Sequence, residues 1–258
     1  MTCENALDRD QFLKSSRVVQ IASLLCRKLE GMVRISFAEE LETAEHSLMA
    51  EGDVVRGQLE RVLQALDQRD ADLAERVIVG DDRVDDIYLA IETRIFNLLA
   101  LQSPVARDLR LVSAIIHSNL HVERIGDLCV NIAKFVKDEQ PYPPGSPMVT
   151  RLHEMGDRAA EMLDCALTAF AKRDADLAED LPIKDNVLDR LNRGLLGELK
   201  QYANDQHSFE WATNLVLVAR YLERIGDHTV DIGEQVSFVI TGVFREFTDA
   251  SHPDHETR

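Results

Sequence analysis

The sequence predicts an all-α protein made of two tandem antiparallel three-helix bundles. Apolar residues form 45% of the chain and aromatic residues only 5%, and the apolar residues recur at intervals of three and four, which is the period of an amphipathic helix. The segment Glu-Arg-Ile-Gly-Asp occurs at residues 123–127 and again 100 residues later, at 223–227. A proline-rich stretch at residues 140–148 lies between the copies. These observations indicate an internal duplication whose halves are joined by a linker.

The first repeat is predicted to span residues 32–139, and its first helix to begin near Ser36. Ser36 and Glu39 have the spacing of a capping box. Residues 1–31 lie outside the repeat pattern and are expected to be an N-terminal extension that contributes little to the fold; the alternative is that Met32 is the true initiator. The predicted buried face of the first helix contains Phe37, Leu41, Ala44, Leu48, Val55, Leu59, Val62 and Leu66.

The next two helices of this repeat follow from local signals. The second is predicted to begin near Asp70, to be interrupted at Gly80 and to continue to about residue 98. The third is predicted to begin at Ser103, as the N-cap, with Pro104 in the first turn, where its missing N–H costs nothing. It is expected to end near residue 137.

The second repeat is predicted to span residues 149–242. Residues 173–179 copy residues 69–75, Arg-Asp-Ala-Asp-Leu-Ala-Glu, at an offset of 104. Pro182 is expected to break the second helix of this repeat near the position where Gly80 breaks its counterpart. The last helix is predicted from about Ser208 to about Ile240, followed by a polar tail at residues 243–258 whose last ten residues are expected to be disordered.

Composition excludes several classes of function. The net charge of −17 repels phosphate backbones, so nucleic acid is not expected as a partner. No run of 18 apolar residues is present, which predicts a protein that is peripheral to a membrane at most. The four cysteines have neither CxxC nor zinc-site spacing, as expected for reduced residues of a cytoplasmic protein.

Pairs of acidic residues four positions apart recur in both repeats. Such spacing places two carboxylates on one face of a helix, and like charges at this spacing are mildly destabilising, so their repetition indicates a use. Converging carboxylates need a cation, and hard oxygen ligands suit Mg²⁺, Mn²⁺, iron or zinc. The alternative is a solvated acidic face, in which Arg220 forms an ordinary ion pair with Glu223. The candidate metal ligands are Asp81, Asp85, Glu123, Asp127, Asp185, Asp189, Glu223, Asp227 and Asp231.

Histidines give weaker candidates. His117 and His121 are four apart, a spacing that allows a metal site, but the second repeat has Leu217 and Tyr221 at those positions; the alternative is a polar helix face. His228 is a candidate hydrogen-bond partner of a ligand. No nucleophile elbow, phosphate-binding glycine loop or Glu-x-x-His pair is present, so no catalytic constellation is predicted.

Residues 32–242 resemble the PhoU family. The resemblance rests on the two Glu-Arg-Ile-Gly-Asp segments, on residues 98–110 (Leu-Leu-Ala-Leu-Gln-Ser-Pro-Val-Ala-Arg-Asp-Leu-Arg) and on residues 77–81 (Val-Ile-Val-Gly-Asp). It implies tandem three-helix bundles with multinuclear iron or zinc clusters on the (Asp/Glu)-x-x-x-Asp pairs. Asn131 stands where the second repeat has Asp231, so the two clusters are allowed to differ in nuclearity.

The resemblance also implies a function. Family members are cytoplasmic adaptors that damp phosphate import and phosphate-starvation signalling, through contacts with the importer ATPase and a phosphate-sensing histidine kinase. A homodimer and no enzymatic activity are expected. Two alternatives stay open: a metal-dependent enzyme that uses the carboxylates, which would need an open coordination position, and a metal-free helical scaffold.

Overall fold

The computed structural model describes residues 6–102, 104–138 and 146–247, and none of these residues is in a β-strand. The chain divides into two compact units between Thr43 and Ala44, and every candidate ligand belongs to the second unit. No helix in the described ranges is long and apolar enough to cross a membrane. The elements are α1 (Ala6–Gln68), α2 (Ala71–Gly80), α3 (Asp82–Leu101), α4 (Ala106–Asp138), α5 (Pro147–Lys172), α6 (Ala175–Glu198), a 3₁₀ turn (Leu199–Tyr202) and α7 (Gln206–Thr241).

The predicted tandem three-helix architecture is confirmed. The first repeat consists of the C-terminal part of α1, the interrupted helix α2–α3, and α4; the second consists of α5, α6 and α7. Helices α2 and α3 pack against α4, as α5 and α6 pack against α7, and α4 packs against α7 to join the repeats. The third helix of each repeat therefore contacts helices of its own repeat and its counterpart in the other repeat.

The predicted apolar stripes are buried. All eight residues named for α1 are buried, and so are Val122, Ile125 and Ile132 of α4. Burial of a large aliphatic side chain stabilises the fold by about 1.5–3 kcal/mol, so these stripes fix which face of α4 and α7 turns inward. The corresponding buried residues of α7 are Leu222, Ile225, Ile232 and Val236.

The repeated heptapeptide forms the same turn in both repeats. Arg69 and Arg173 both have a left-handed backbone, with φ of 56° and 53°. The following residues, Asp70 and Asp174, cap α2 and α6 by accepting hydrogen bonds from the backbone N–H three residues later, at 2.9 and 3.1 Å. Such a cap stabilises a helix by about 1 kcal/mol, so the duplicated sequence specifies both the turn and the helix start.

Two predicted helix starts are wrong. Ser36 lies inside α1, which is continuous from Ala6, because residues 6–36 contain no proline and the capping signal is overridden by the helix formers that precede it. Helix α4 begins at Ala106, and the Val105 carbonyl accepts the first helical bond from Leu109 at 2.9 Å. Ser103, the predicted cap, lies outside the described residues.

Pro182 does not break its helix, contrary to the prediction, whereas Gly80 ends α2 as predicted. Pro182 has no N–H to give to the Ala178 carbonyl. That carbonyl oxygen instead faces α7, 3.2 Å from the place that a β-carbon on Gly233 would occupy. Close packing of that carbonyl against a glycine of α7 therefore accompanies the continuation of α6 through the proline.

The linker and tail differ partly from the prediction. Helix α5 begins at Pro147, inside the predicted linker, whose residues 140–145 lie outside the described ranges. After α7 the backbone turns at Gly242, with φ of 75°, and the Phe247 N–H donates a 2.6 Å hydrogen bond to Glu234. Residues 243–247 therefore return along α7; residues 248–258, including the stretch expected to be disordered, lie outside the described ranges.

Candidate metal-binding site

The glycine of the pentapeptide brings the second and third helices of a repeat together. Asp81, between α2 and α3, places Oδ1 3.3 Å from the position of a β-carbon on Gly126 in α4. Asp81 Oδ1 also accepts a hydrogen bond from Gln58 Nε2 of α1 at 3.2 Å. Without the β-carbon at residue 126, an acid on the second helix can approach the acids on the third.

The second repeat has the same arrangement, packed more tightly. Asp185 Oδ1 of α6 lies 2.7 Å from the position of a β-carbon on Gly226 in α7, and Leu188 Cδ2 lies 2.6 Å from it. Met162 takes the position that Gln58 has in the first repeat. The predicted correspondence between the two repeats is therefore present in three dimensions, with an apolar side chain in place of the amide.

The acids of the first repeat act on one another electrostatically. Burial raises the pKa of Asp81, and the charges of Asp85 and Asp127 add to that rise, while the hydrogen bond from Gln58 opposes it. Burial and then the Asp127 charge raise the pKa of Glu123, with smaller effects of Asp85 and Asp81. These four acids, Asp81, Asp85, Glu123 and Asp127, form one group, named here the repeat-one cluster.

The repeat-two cluster consists of Asp185, Asp189, Glu223 and Asp227. Burial and the Asp227 charge raise the pKa of Glu223 to about 7, although Arg220 opposes this. Burial also raises the pKa of Asp227, to which Asp189 contributes. Two of these acids therefore hold a proton more readily than free carboxyl groups, which is the response of crowded carboxylates to a missing counter-charge.

Arginines neutralise part of both clusters. Arg124 pairs with Asp127 at 3.1 Å, Arg193 pairs with Asp189 at 3.1 Å, and Arg220 pairs with Glu223. All three arginine side chains are more than half exposed. These contacts are those expected if the acids are simply a solvated acidic face. Exposed ion pairs contribute only about 0–1 kcal/mol each, so they do not neutralise the buried carboxylate oxygens.

Glu51 is a buried acid that the sequence analysis missed. Its exposure is 0%, and neither carboxylate oxygen has a hydrogen-bond partner. Burial, and secondly the charge of Glu123, raise its pKa to about 9. One signal could have found it: Glu51 lies three residues after Leu48 and four before Val55, inside the predicted apolar face of α1. The second repeat has Met155 at the corresponding position, so a search for shared acids discards it.

Asp231, the ninth candidate ligand, contacts two histidines. Its Oδ2 is 3.2 Å from His121 Nδ1 of α4 and 3.5 Å from His228 Nδ1 of α7, although its charge also acts on Asp227. His121 therefore meets His228 and not His117, the partner considered in the sequence analysis. His117 Nδ1 instead donates to the Ser113 carbonyl at 2.8 Å.

A profile of the PhoU domain matches the chain twice, at residues 48–136 and 152–236. The two matches are offset by the 104 and 100 residues that separate the repeats, and each contains one Glu-Arg-Ile-Gly-Asp segment. The chain belongs to the PhoU family.

Relatives within the PhoU family cover most of the chain. A phosphate-specific transport system accessory protein PhoU homolog from Clostridium acetobutylicum is 32% identical over 82% of this chain and 97% of its own length. The crystal structure of PhoU from Pseudomonas aeruginosa superposes with a TM-score of 0.75, with 32% identity, over 80% of this chain and all of that one. The Streptococcus pneumoniae phosphate transport system regulatory protein PhoU gives the same TM-score with 30% identity, over 82% and 100% of the two chains.

The carboxylate side chains of the two clusters suit, in chemistry, the cations that resemblance to the PhoU family implies. Glu51 and the Glu223 Oε2 atom are buried without hydrogen-bond partners, and carboxylate oxygens suit hard or borderline cations. In the described part of the chain, however, three ligating atoms of His, Cys, Asp or Glu lie within 4.8 Å of one another only at His121, His228 and Asp231. The carboxylates of each cluster act on one another by charge, but no three of them come within that distance of one another.

Proposed function

We propose that this chain is a cytoplasmic negative regulator of phosphate homeostasis that reduces high-affinity phosphate import and phosphate-starvation signalling. The observation that supports this most is the extent of the match: the Clostridium acetobutylicum accessory protein of the phosphate-specific transport system is covered over 97% of its length. Both repeats, and both sets of paired acids, lie inside the matched ranges. The regulatory role is therefore proposed for the whole two-repeat body.

The proposed mode of action is docking on other proteins. The partners are the ATPase subunit of the phosphate importer and the phosphate-sensing histidine kinase, and the chain acts as a homodimer. Two surface clefts are lined by residues such as Arg61 and Val79 in the first repeat and Ile183 and Arg245 in the second, and none of the paired carboxylates lines either cleft. A substrate pocket at the acids would favour the enzyme alternative, and these clefts do not provide one. The net charge of −17 disfavours direct action on DNA.

The proposed cofactor is a multinuclear metal cluster in each repeat, of iron or zinc, with manganese or magnesium as alternatives. The repeat-one cluster would hold one and the repeat-two cluster the other. Bound cations would supply positive charge between crowded acids and link the second helix of each repeat to the third. Glu51, which is buried and whose pKa the charge of Glu123 raises, is an additional acid available to the first site.

Deletion of the gene tests the regulatory role. Deletion should raise phosphate uptake and switch on starvation genes in phosphate-rich medium, and a catalytically inactive importer ATPase should suppress the uptake effect alone. Complementation with a variant that lacks all eight cluster acids separates docking from metal binding. If the deletion strain keeps normal uptake and repression while the pure protein turns over a small molecule in a metal-dependent reaction, the enzyme alternative replaces this proposal.

A further inference from the structure

Three side chains from two helices converge between the repeats. His121 comes from α4, and His228 and Asp231 come from α7. The two Nδ1 atoms are 3.2 Å apart, and Asp231 Oδ2 is 3.2 and 3.5 Å from them. The same three atoms therefore form a nearly equilateral triangle, with the imidazole rings at an angle of 44°.

These separations match those between the ligand atoms of a tetrahedral zinc site. Zinc bound at about 2.0–2.1 Å by nitrogen and oxygen ligands has tetrahedral edges of about 3.3 Å. Three nitrogen and oxygen atoms this close together repel one another unless protons or a cation lie between them. A proton satisfies one edge of the triangle at a time, whereas a cation at its centre satisfies all three. We propose that His121, His228 and Asp231 bind a divalent metal ion of intermediate hardness, such as Zn²⁺.

Access and ligand chemistry both suit such an ion. The two histidine side chains are 18% and 17% exposed and that of Asp231 is 41% exposed, so an ion can enter from solvent and keep a water molecule as its fourth ligand. Imidazole nitrogen selects zinc, copper, iron or nickel over magnesium and calcium. The site therefore differs in chemistry from the all-carboxylate clusters.

The site is asymmetric. The positions in the other repeat that correspond to His121, His228 and Asp231 are Tyr221, Leu128 and Asn131, of which none is a histidine or a carboxylate. The duplication therefore repeats the carboxylate cluster in both halves, whereas it does not repeat the histidine site. An ion bound there would join α4 of the first repeat to α7 of the second, and so fix the contact between the repeats.

Metal titration of the full chain, first stripped with a chelator, tests the proposal. Zn²⁺ is titrated against a chromophoric chelator, and Co²⁺ is used separately because tetrahedral Co²⁺ shows visible bands much stronger than those of octahedral oxygen sites. The variants are His121→Gln and His228→Gln. The matched control is His117→Gln, one helical turn from His121. The His117 side chain contacts the Ser113 carbonyl and not the proposed site. Circular dichroism checks that each variant is folded.

The unaltered protein and His117→Gln should bind one more equivalent of Zn²⁺ than the two ligand variants and show the strong Co²⁺ bands. Loss of a ligand should weaken the binding of this equivalent at least as much as loss of a hydrogen-bond partner of a ligand does, which costs about 10–100-fold. Zn²⁺ at about 100 times the Kd of this site should raise the melting temperature of the first pair of proteins by about 5 °C or more beyond any rise in the two ligand variants.

Equal stoichiometry and equal spectra in all four proteins would overturn the proposal. A variant with Glu123→Gln and Glu223→Gln should keep the strong Co²⁺ bands. Bands lost in that variant but kept in His121→Gln would assign the metal to the carboxylate clusters, and would leave the proposed regulatory function standing while this site fails.

Discussion

Leu167 Cδ2 of α5 lies 2.5 Å from the position that a β-carbon on Gly52 of α1 would occupy, and Leu63 Cδ2 lies at the same distance from the corresponding position of Gly156. Each glycine and each leucine is 104 residues from its counterpart, so the first helices of the two repeats make one contact twice, in a reciprocal way. A glycine inside a helix costs about 1 kcal/mol relative to alanine. The close approach of the leucine explains why both glycines are present.

Gly52→Ala should lower the free energy of unfolding, because the added carbon overlaps Leu167 and overpacking costs about 1–3 kcal/mol. Gly57→Ala in the same helix is the control, since its β-carbon would meet only the Arg61 guanidinium, at 3.3 Å. The control should be more stable than the parent by up to about 1 kcal/mol. Urea denaturation measures both changes, and a Gly52→Ala protein as stable as Gly57→Ala would contradict the packing argument.

The pentapeptide glycines should differ in their tolerance of alanine. Gly226→Ala places a carbon 2.6 Å from Leu188 Cδ2 and 2.7 Å from Asp185 Oδ1, whereas the closest approach at Gly126 is 3.3 Å. Gly226→Ala is expected to cost about 1–3 kcal/mol, and Gly126→Ala less than about 1 kcal/mol, because alanine's helix propensity offsets the milder contact. Thermal and urea denaturation of both variants measure the difference; equal losses would show that Leu188 moves aside freely.

The free energy of unfolding of the metal-free protein should fall as pH rises, because Glu51 is buried. Its pKa is about 9 in the folded protein against an ordinary 4.5, so between these values the unfolded chain releases a proton that the folded chain keeps. The free energy of unfolding therefore falls with pH across this window, by up to about 1.4 kcal/mol per pH unit. Glu51→Gln removes this loss, so its advantage over the parent should be near zero at about pH 4.5 and grow toward pH 9.

Urea denaturation at several pH values, with chelator present, measures this advantage. Glu60→Gln, at an exposed position of the same helix, is the control for loss of a surface charge and should follow the parent at each pH. If the free energies of unfolding of Glu51→Gln and the parent differ by a constant amount from about pH 4.5 to 9, Glu51 is ionised in the folded protein.

Elemental analysis of protein purified without a chelating tag tests the carboxylate clusters. The protein should contain iron, zinc or manganese above trace amounts. Replacement of Asp81, Asp85, Glu123 and Asp127 together by Asn or Gln should remove the metal of the first repeat and spare that of the second, because their oxygens are the proposed ligands. The control replaces the exposed neighbours of the second helix, at residues 82 and 86, by Asn.

Two outcomes would count against this assignment. Undiminished metal in the fourfold variant would show that the ligands were assigned wrongly. A parent without metal and a variant of higher stability would favour the solvated acidic face.

The sequence predicted the features that both repeats share more fully than those that one repeat has alone. Apolar stripes, the Gly80 interruption and the equivalence of Asp81 with Asp185 all follow from periodicity and duplication. Glu51 has Met155 as its counterpart, so comparison of the halves gave it no weight. His228 has Leu128 as its counterpart and was predicted only as a hydrogen-bond partner of a ligand. Pro182 was misjudged for a different reason: its effect depends on a glycine of another helix, which local propensity does not include.

The continuity of α6 through Pro182 has a consequence for amide hydrogen exchange. The proline removes one link between the first two turns of α6 and the rest, and in the first repeat the break between α2 and α3 interrupts the ladder of hydrogen bonds in the same region. Each interruption lies at or just before the aspartate that approaches the third helix of its repeat. Residues 71–80 and 175–181 can therefore open as separate local units, and should exchange sooner than the segments that carry Asp81 and Asp185.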